Sequence, residues 1–264
     1  MSYVFNVPYR DNDKLKQVVE KVRQDKKLHA YWRCSNVMAI ERLGYTDHGP
    51  THVKIVANLA LKLLRILIEK KQVKPSIVKD YGLRNEDAEV VVFLGSVFHD
   101  LGMIVVRNHH ELYSGLVALE FFDKFLLPTY SVEECAIITS EVLHAIVTHE
   151  YTGPKINRPL TVEAGIVGIA DALDMEAGRA RIPFKAGKVD IHAVSALSIE
   201  KVEVLEGQEK AITIKITMSN SAGVFQIDEL LKPRIETSGL HEYFHVVAEI
   251  TGEKERRIVE KFEI

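Results

Sequence analysis

One segment constrains this chain more than any other: Glu86 to His99 is almost wholly apolar from Val90 onward and ends on the polar doublet His99-Asp100. A helix that is apolar all round belongs at the centre of a bundle, with other elements covering every face. The doublet then falls where a buried helix stops, and an unpaired charge buried there costs several kcal/mol. A divalent cation would satisfy both members, since imidazole suits transition metals and a carboxylate can bridge two ions. The plainer alternative is a histidine at a helix C-terminus beside an aspartate that caps the next segment.

The rest of the chain fits a bundle around that segment. Residues 11 to about 183 read as helices. Asp13 to Gln24 and Leu28 to Leu43 are amphipathic. Pro50 opens a segment, His52 to Lys70, with apolar residues at helical spacing. Gly102 is read as the stop of the central helix. A fourth helix runs from Asn108 to about Leu127, and Ser131 with Glu134 forms a capping box that opens a fifth, reaching about Glu150. Thr161 opens a sixth that is expected to end near Gly178. From residue 190 the pattern changes. Ala211 to Met218 and Tyr243 to Ile250 alternate as half-buried strands do, Gly223 to Glu236 looks helical, and His192 to Leu205 and Arg257 to Phe262 are further strand candidates. The expectation is a mainly α protein: a helical domain over 1–187 and a small α+β domain (β-β-α-β-β) over 188–264, joined through Lys185-Ala186-Gly187-Lys188.

Composition narrows the function classes. The chain has 264 residues, 47% of them hydrophobic, enough for a substantial core. Its 34 basic and 37 acidic residues leave a formal charge of -3, which argues against general nucleic-acid binding. Two cysteines far apart, Cys34 and Cys135, make neither a disulfide framework nor a cysteine zinc site, so a reducing cytoplasm is expected. The longest apolar run, Val90 to Phe98, is far short of a membrane span.

Most of the eleven histidines in this chain that fall in the helical part stand beside polar residues at helix ends. His52 and His110 lie in first turns, His149 ends a helix, and Asp171 sits mid-helix among apolar neighbours, where a lone carboxylate is costly. Each taken singly has a bland reading, Asp171 as a partner of Arg179 or Arg181 among them. The joint order His, His-Asp, His, His, Asp over successive helices is hard to produce by chance.

With its stretches Asp47-His48-Gly49-Pro50-Thr51-His52, Phe98-His99-Asp100-Leu101-Gly102 and Ile169-Ala170-Asp171-Ala172-Leu173-Asp174, the chain resembles the HD-domain superfamily of metal-dependent phosphohydrolases over residues 45 to 185. The resemblance implies an HD-type helical bundle in which His52, His99, Asp100 and Asp171 are the core metal ligands. Family members with two further histidines hold two ions with the doublet aspartate bridging. His110 and His149 sit where those histidines fall, with His109 and His144 as less favoured substitutes. The stretch from Ile166 to Asp174 is also similar to the cyclic-dinucleotide phosphodiesterase branch, although Glu150 is followed by Tyr151-Thr152-Gly153-Pro154 where that branch has Gly-Tyr-Pro.

What the resemblance implies for chemistry is hydrolysis of a phosphoester in a small nucleotide-like molecule by metal-activated water. One or two divalent ions (manganese, iron, cobalt, nickel or zinc) would serve it. Asp100 would bridge, while Arg179, Arg181 and Lys185 would meet phosphoryl oxygens; the alternative for these cations is a solvated cluster at a helix end. A di-iron oxygenase and a non-catalytic nucleotide-binding regulatory module are the competing readings. The tail carries no identifiable chemistry and suits homo-oligomerisation or regulation.

Overall fold

The structure is a computed structural model that describes residues 5–70, 73–151, 160–179, 195–251 and 261–263. Helix α1 (Asp13–Gln24) begins where Asn12 accepts the Leu15 amide at 2.9 Å. Asp25 closes α1 and caps α2 (Lys26–Asn36) by accepting from Lys27 and Leu28. The helix expected over 28–43 therefore starts two residues earlier and passes into a π-helical turn, Val37–Arg42. Helix α3 (Pro50–Glu69) has its proline in the first turn, where the missing N–H would have no helical partner. A short helix, α4 (Ser76–Tyr81), joins it to the central α5 (Asn85–Phe98). Beyond these come α6 (His110–Leu126), α7 (Val132–Thr148) behind the Ser131–Glu134 capping box, and α8 (Val162–Leu173) capped by Thr161.

Helix α5 occupies the centre, with every residue from Val90 to Phe98 buried and α1, α3, α7 and α8 packed around it. The Trp32 indole N–H donates to the Val97 carbonyl at 3.0 Å, fixing α2 against the end of α5 that carries His99 and Asp100. The sixth expected helix, α8, stops at Leu173 and not near Gly178: Asp174 leaves the helical region with φ −80° and ψ 63°.

The tail forms a four-stranded sheet in the order β1 (Ile199–Glu206), β2 (Ile212–Met218), β3 (Phe244–Ile250), β4 (Lys261–Glu263). Strands β2 and β3 pair in parallel, Ile212 opposite Phe244, and the other pairs are antiparallel. A parallel pair needs a crossover, and helical turns over 221–231 leading into α9 (Lys232–Thr237) supply it. Alternate residues of β2 (Ile212, Ile214, Ile216, Met218) and β3 (Phe244, Val246, Ala248, Ile250) are buried, as their sequence alternation requires. The first strand begins at Ile199, because residues 195–197 are helical. The linker expected at 185–188 and the domain division at 187/188 lie outside the described residues, as does residue 192. The buried faces of sheet and bundle belong to one continuous hydrophobic core.

Candidate metal centre

Five helix ends meet at one point, for Asp171, expected mid-helix, stands in the last turn of α8, which stops at Leu173. His52 stands in the first turn of α3, His99 caps the C-terminus of α5 with Asp100 next, His110 is the first residue of α6, and His149 caps the C-terminus of α7. Asp171 faces them from α8. The four imidazoles are each at most 1% exposed and Asp100 is 5% exposed. Gly102 makes this convergence possible. A Cβ there would stand 2.0 Å from the His110 carbonyl, so only glycine lets the start of α6 close on the end of α5, and its amide donates to Ser114 Oγ at 2.8 Å.

The two oxygens of Asp100 face different halves of the cluster. Oδ2 lies 3.2 Å from both His52 Nε2 and His99 Nε2, and Asp171 Oδ1 lies 3.2 Å from the first and 3.6 Å from the second. Oδ1 lies 3.1 Å from His110 Nε2 and 3.8 Å from His149 Nε2. The groups His52–His99–Asp171, His99–Asp100–His149 and His110–His149–Glu150 each bring donor atoms within 4.8 Å of one another.

Proton positions are set by the partners on the outer side of each ring. His52 Nδ1 is 2.6 Å from Asp174 Oδ2, and a carboxylate accepts, so Nδ1 carries the proton. His99 Nδ1 donates to Ser96 O at 2.8 Å, and His149 Nδ1 to Ile146 O at 2.7 Å. In the neutral rings the Nε2 lone pairs then point inward. His52 and His99 bring theirs within 3.0 Å of each other, and Asp100 Oδ2 is buried with no hydrogen bond of its own. Lone pairs and carboxylate oxygens converging in this way suit a cation, and a carboxylate or carbonyl behind each ring is how metal-bound histidines are oriented. The C-terminal ends of α5 and α7 add negative potential at the same place.

The charges tell the same story through protons. Burial disfavours charge on these rings, yet the Asp100 and Asp171 carboxylates lift His99 to about 9 and His52 well above its ordinary value. Burial likewise opposes ionisation of Asp100 and Asp171, and the surrounding imidazoles hold both well below the carboxylate range. The cluster draws positive charge, as protons or as metal. Burial and the neighbouring His99 keep His149 at about 3, so it stays neutral.

Other residues singled out in the sequence lie around this centre. Arg179 reaches it: Nη2 is 3.4 Å from His52 Nε2, while Nε and Nη1 donate to the carbonyls of Asp47 and Asp174. Asp171 therefore faces histidines, and the arginine beside it is tied to Asp174. Residues 181 and 185 lie outside the described residues. His48 is buried 5.9 Å from the His52 ring and donates to Thr46 O, and burial depresses it to about 4. His109 points outward from the residue before α6, at φ 60°, with a largely exposed side chain, and His144 lies near the Thr161 amide, away from the cluster.

Three supporting residues were not picked out from sequence. Asp174 backs His52. Arg107 forks onto Glu150 at 2.9 and 3.2 Å and sets Nη1 2.6 Å from His110 Nδ1. Arg234 of α9 donates to the His149 carbonyl. Asp174 left a signal, a second carboxylate three residues after Asp171; a single arginine in an amphipathic tail helix leaves none.

A helical bundle that turns four imidazoles and two carboxylates onto one point defines a histidine–aspartate metal-binding protein. The chain belongs to the HD-domain family, whose family model, HD domain, matches residues 50–176 and so spans the whole cluster from His52 to Asp174. As an HD-domain protein it is a metal-dependent hydrolase that binds divalent metal. Over 249 residues it is 44% identical to the uncharacterized protein MJ1020 of Methanocaldococcus jannaschii, covering 94% of this chain and 93% of the relative. No solved structure matches it. No helix among the described residues is long and apolar enough to cross a membrane.

Proposed function

We propose that this hydrolase is a phosphohydrolase with a two-ion centre, cleaving a phosphomonoester or cyclic or diester bond of a small nucleotide-like substrate. His52, His99 and Asp171 hold one divalent ion, His110 and His149 the other, and Asp100 lies between them. The observation that carries this reading is the division of Asp100, with Oδ2 toward His52 and His99 and Oδ1 toward His110 and His149. Bound ions of this kind supply Lewis acidity and a water whose pKa falls toward neutrality. The chain's own residues orient and compensate. Asp174 and the carbonyls of Ser96 and Ile146 keep Nε2 lone pairs turned inward. Arg179, with two of its nitrogens anchored on carbonyls, turns Nη2 toward the cluster and would meet a phosphoryl oxygen there. Arg181 would serve the same end.

A cavity of about 540 Å³ adjoins the half built by His110 and His149, lined among others by Tyr45, Arg107, Asn108, Glu150 and Tyr151. That size suits a small molecule, and two tyrosine rings with an amide suit a planar, hydrogen-bonding base. The donor set accepts manganese, iron, cobalt, nickel or zinc. The test is metal analysis of the purified protein together with a screen of nucleotides and cyclic phosphates. Two ions per chain with turnover of a phosphoester are expected. Metal-loaded protein inert toward every phosphoester, or an oxygen-consuming di-iron form, would overturn the reading.

A further inference from the structure

The tail, which carries no chemistry by its sequence pattern, runs into the metal centre. Arg234 of α9 is 8% exposed, and Nη1 donates to the backbone oxygen of His149. One turn on, Thr237 Oγ1 lies 3.2 Å from the Tyr151 carbonyl. Both carbonyls fall just past the end of α7, where a helix has run out of its own backbone donors, and α9 supplies them. The fit depends on Gly168 of α8, where a Cβ would stand 2.9 Å from the same His149 oxygen. Arg234 also keeps a buried Nε with no partner.

We infer that Arg234 is a positioning residue for the second ion. By fixing the backbone of His149 it fixes the imidazole, so the C-terminal tail is a working part of the metal centre. The inference rests on the two-ion reading proposed above.

The experiment compares the full-length protein with Arg234→Met, His149→Ala and the double variant. Each is loaded with Mn²⁺ and measured by titration calorimetry, by electron paramagnetic resonance and by helical circular dichroism. The unaltered protein is expected to bind two Mn²⁺ as an exchange-coupled pair. Arg234→Met should keep its helical signal and its tight ion while the second ion weakens by roughly 10–100-fold and the coupled signal gives way to that of isolated Mn²⁺. In the His149→Ala background, Arg234→Met should cost no more, because the two act on one site. Full additivity there, or unchanged affinity for both ions in Arg234→Met, would overturn the inference and leave the two-ion reading intact. A single ion in the unaltered protein would overturn both. If Arg234→Met does not fold, Arg234→Gln replaces it with the same expected loss, and unchanged second-ion affinity counts against the inference equally.

Discussion

The two halves of the cluster are built differently. His52, His99 and Asp171 come from α3, α5 and α8, the most buried helices of the bundle, and the outer nitrogens of both rings are each committed to one acceptor, Asp174 Oδ2 or Ser96 O. His110 and His149 come from the opening of α6 and the end of α7. His110 Nδ1 is shared between the Arg107 guanidinium at 2.6 Å and the Arg107 carbonyl at 3.1 Å, and a guanidinium can only donate, so its tautomer can switch. The Arg107–Glu150 pair behind it is about one-third exposed. Histidines locked in one tautomer make a preorganised site; in the second half His149 is locked through the Ile146 carbonyl but His110 is not, which makes that half the more adjustable one. The first half is therefore expected to bind its ion tightly and the second to bind more weakly, beside the cavity where substrate would enter.

Asp100→Ala should disable both halves at once, because they share that carboxylate. Metal content should fall to near zero and hydrolysis to background while helical circular dichroism is unchanged; full turnover would remove the bridging role. Next in size, His110→Ala should cost only the second ion, so that elemental analysis falls from two ions per chain to one and turnover is largely lost. If both ions go, the halves are not separable. Asp174→Asn leaves every proposed ligand in place but weakens the hold on His52, and should lower first-ion affinity by roughly 10–100-fold in calorimetry with little change in the second.

The smallest effect is a control away from both halves. Burial, with Glu163 nearby, pushes Glu141 of α7 up to about 6. A carboxyl raised in the folded state favours folding while protonated, below its ordinary 4.5, and that contribution is lost as pH rises through about 6. Glu141→Gln, which cannot ionise, should stabilise the protein at pH 7 by about 1 kcal/mol, read as a higher Tm. The gain should shrink toward pH 5 (the pH at which the natural side chain is itself mostly protonated), with metal content unchanged throughout.

Much of this was legible in the chain. An apolar helix ending in His99-Asp100 has few places to go, and the Ser131–Glu134 box and Pro50 mark starts that the structure keeps. Period-two alternation marks β2 and β3, and the helical segment between them is legible, but not the parallel pairing that this segment bridges. What the pattern hid were local decisions made by tertiary contacts. Helix α8 reads as continuing toward Gly178, and that continuity hid the helix end at Leu173, after which Asp174 bonds His52. Helix α4, six residues long, is too short for periodicity to register. Arg234 sits in an amphipathic segment where an arginine ordinarily faces water, and only the docking of α9 on α8 turns it inward.

Anomalous diffraction from crystals of the Mn²⁺-loaded protein shows whether one carboxylate is shared between two cation sites. Two peaks about 3.5–4 Å apart are predicted, one among His52, His99 and Asp171, the other beside His110 and His149, with Asp100 touching both. A solitary peak, or manganese bound away from Asp100, would mean that the carboxylate is not shared.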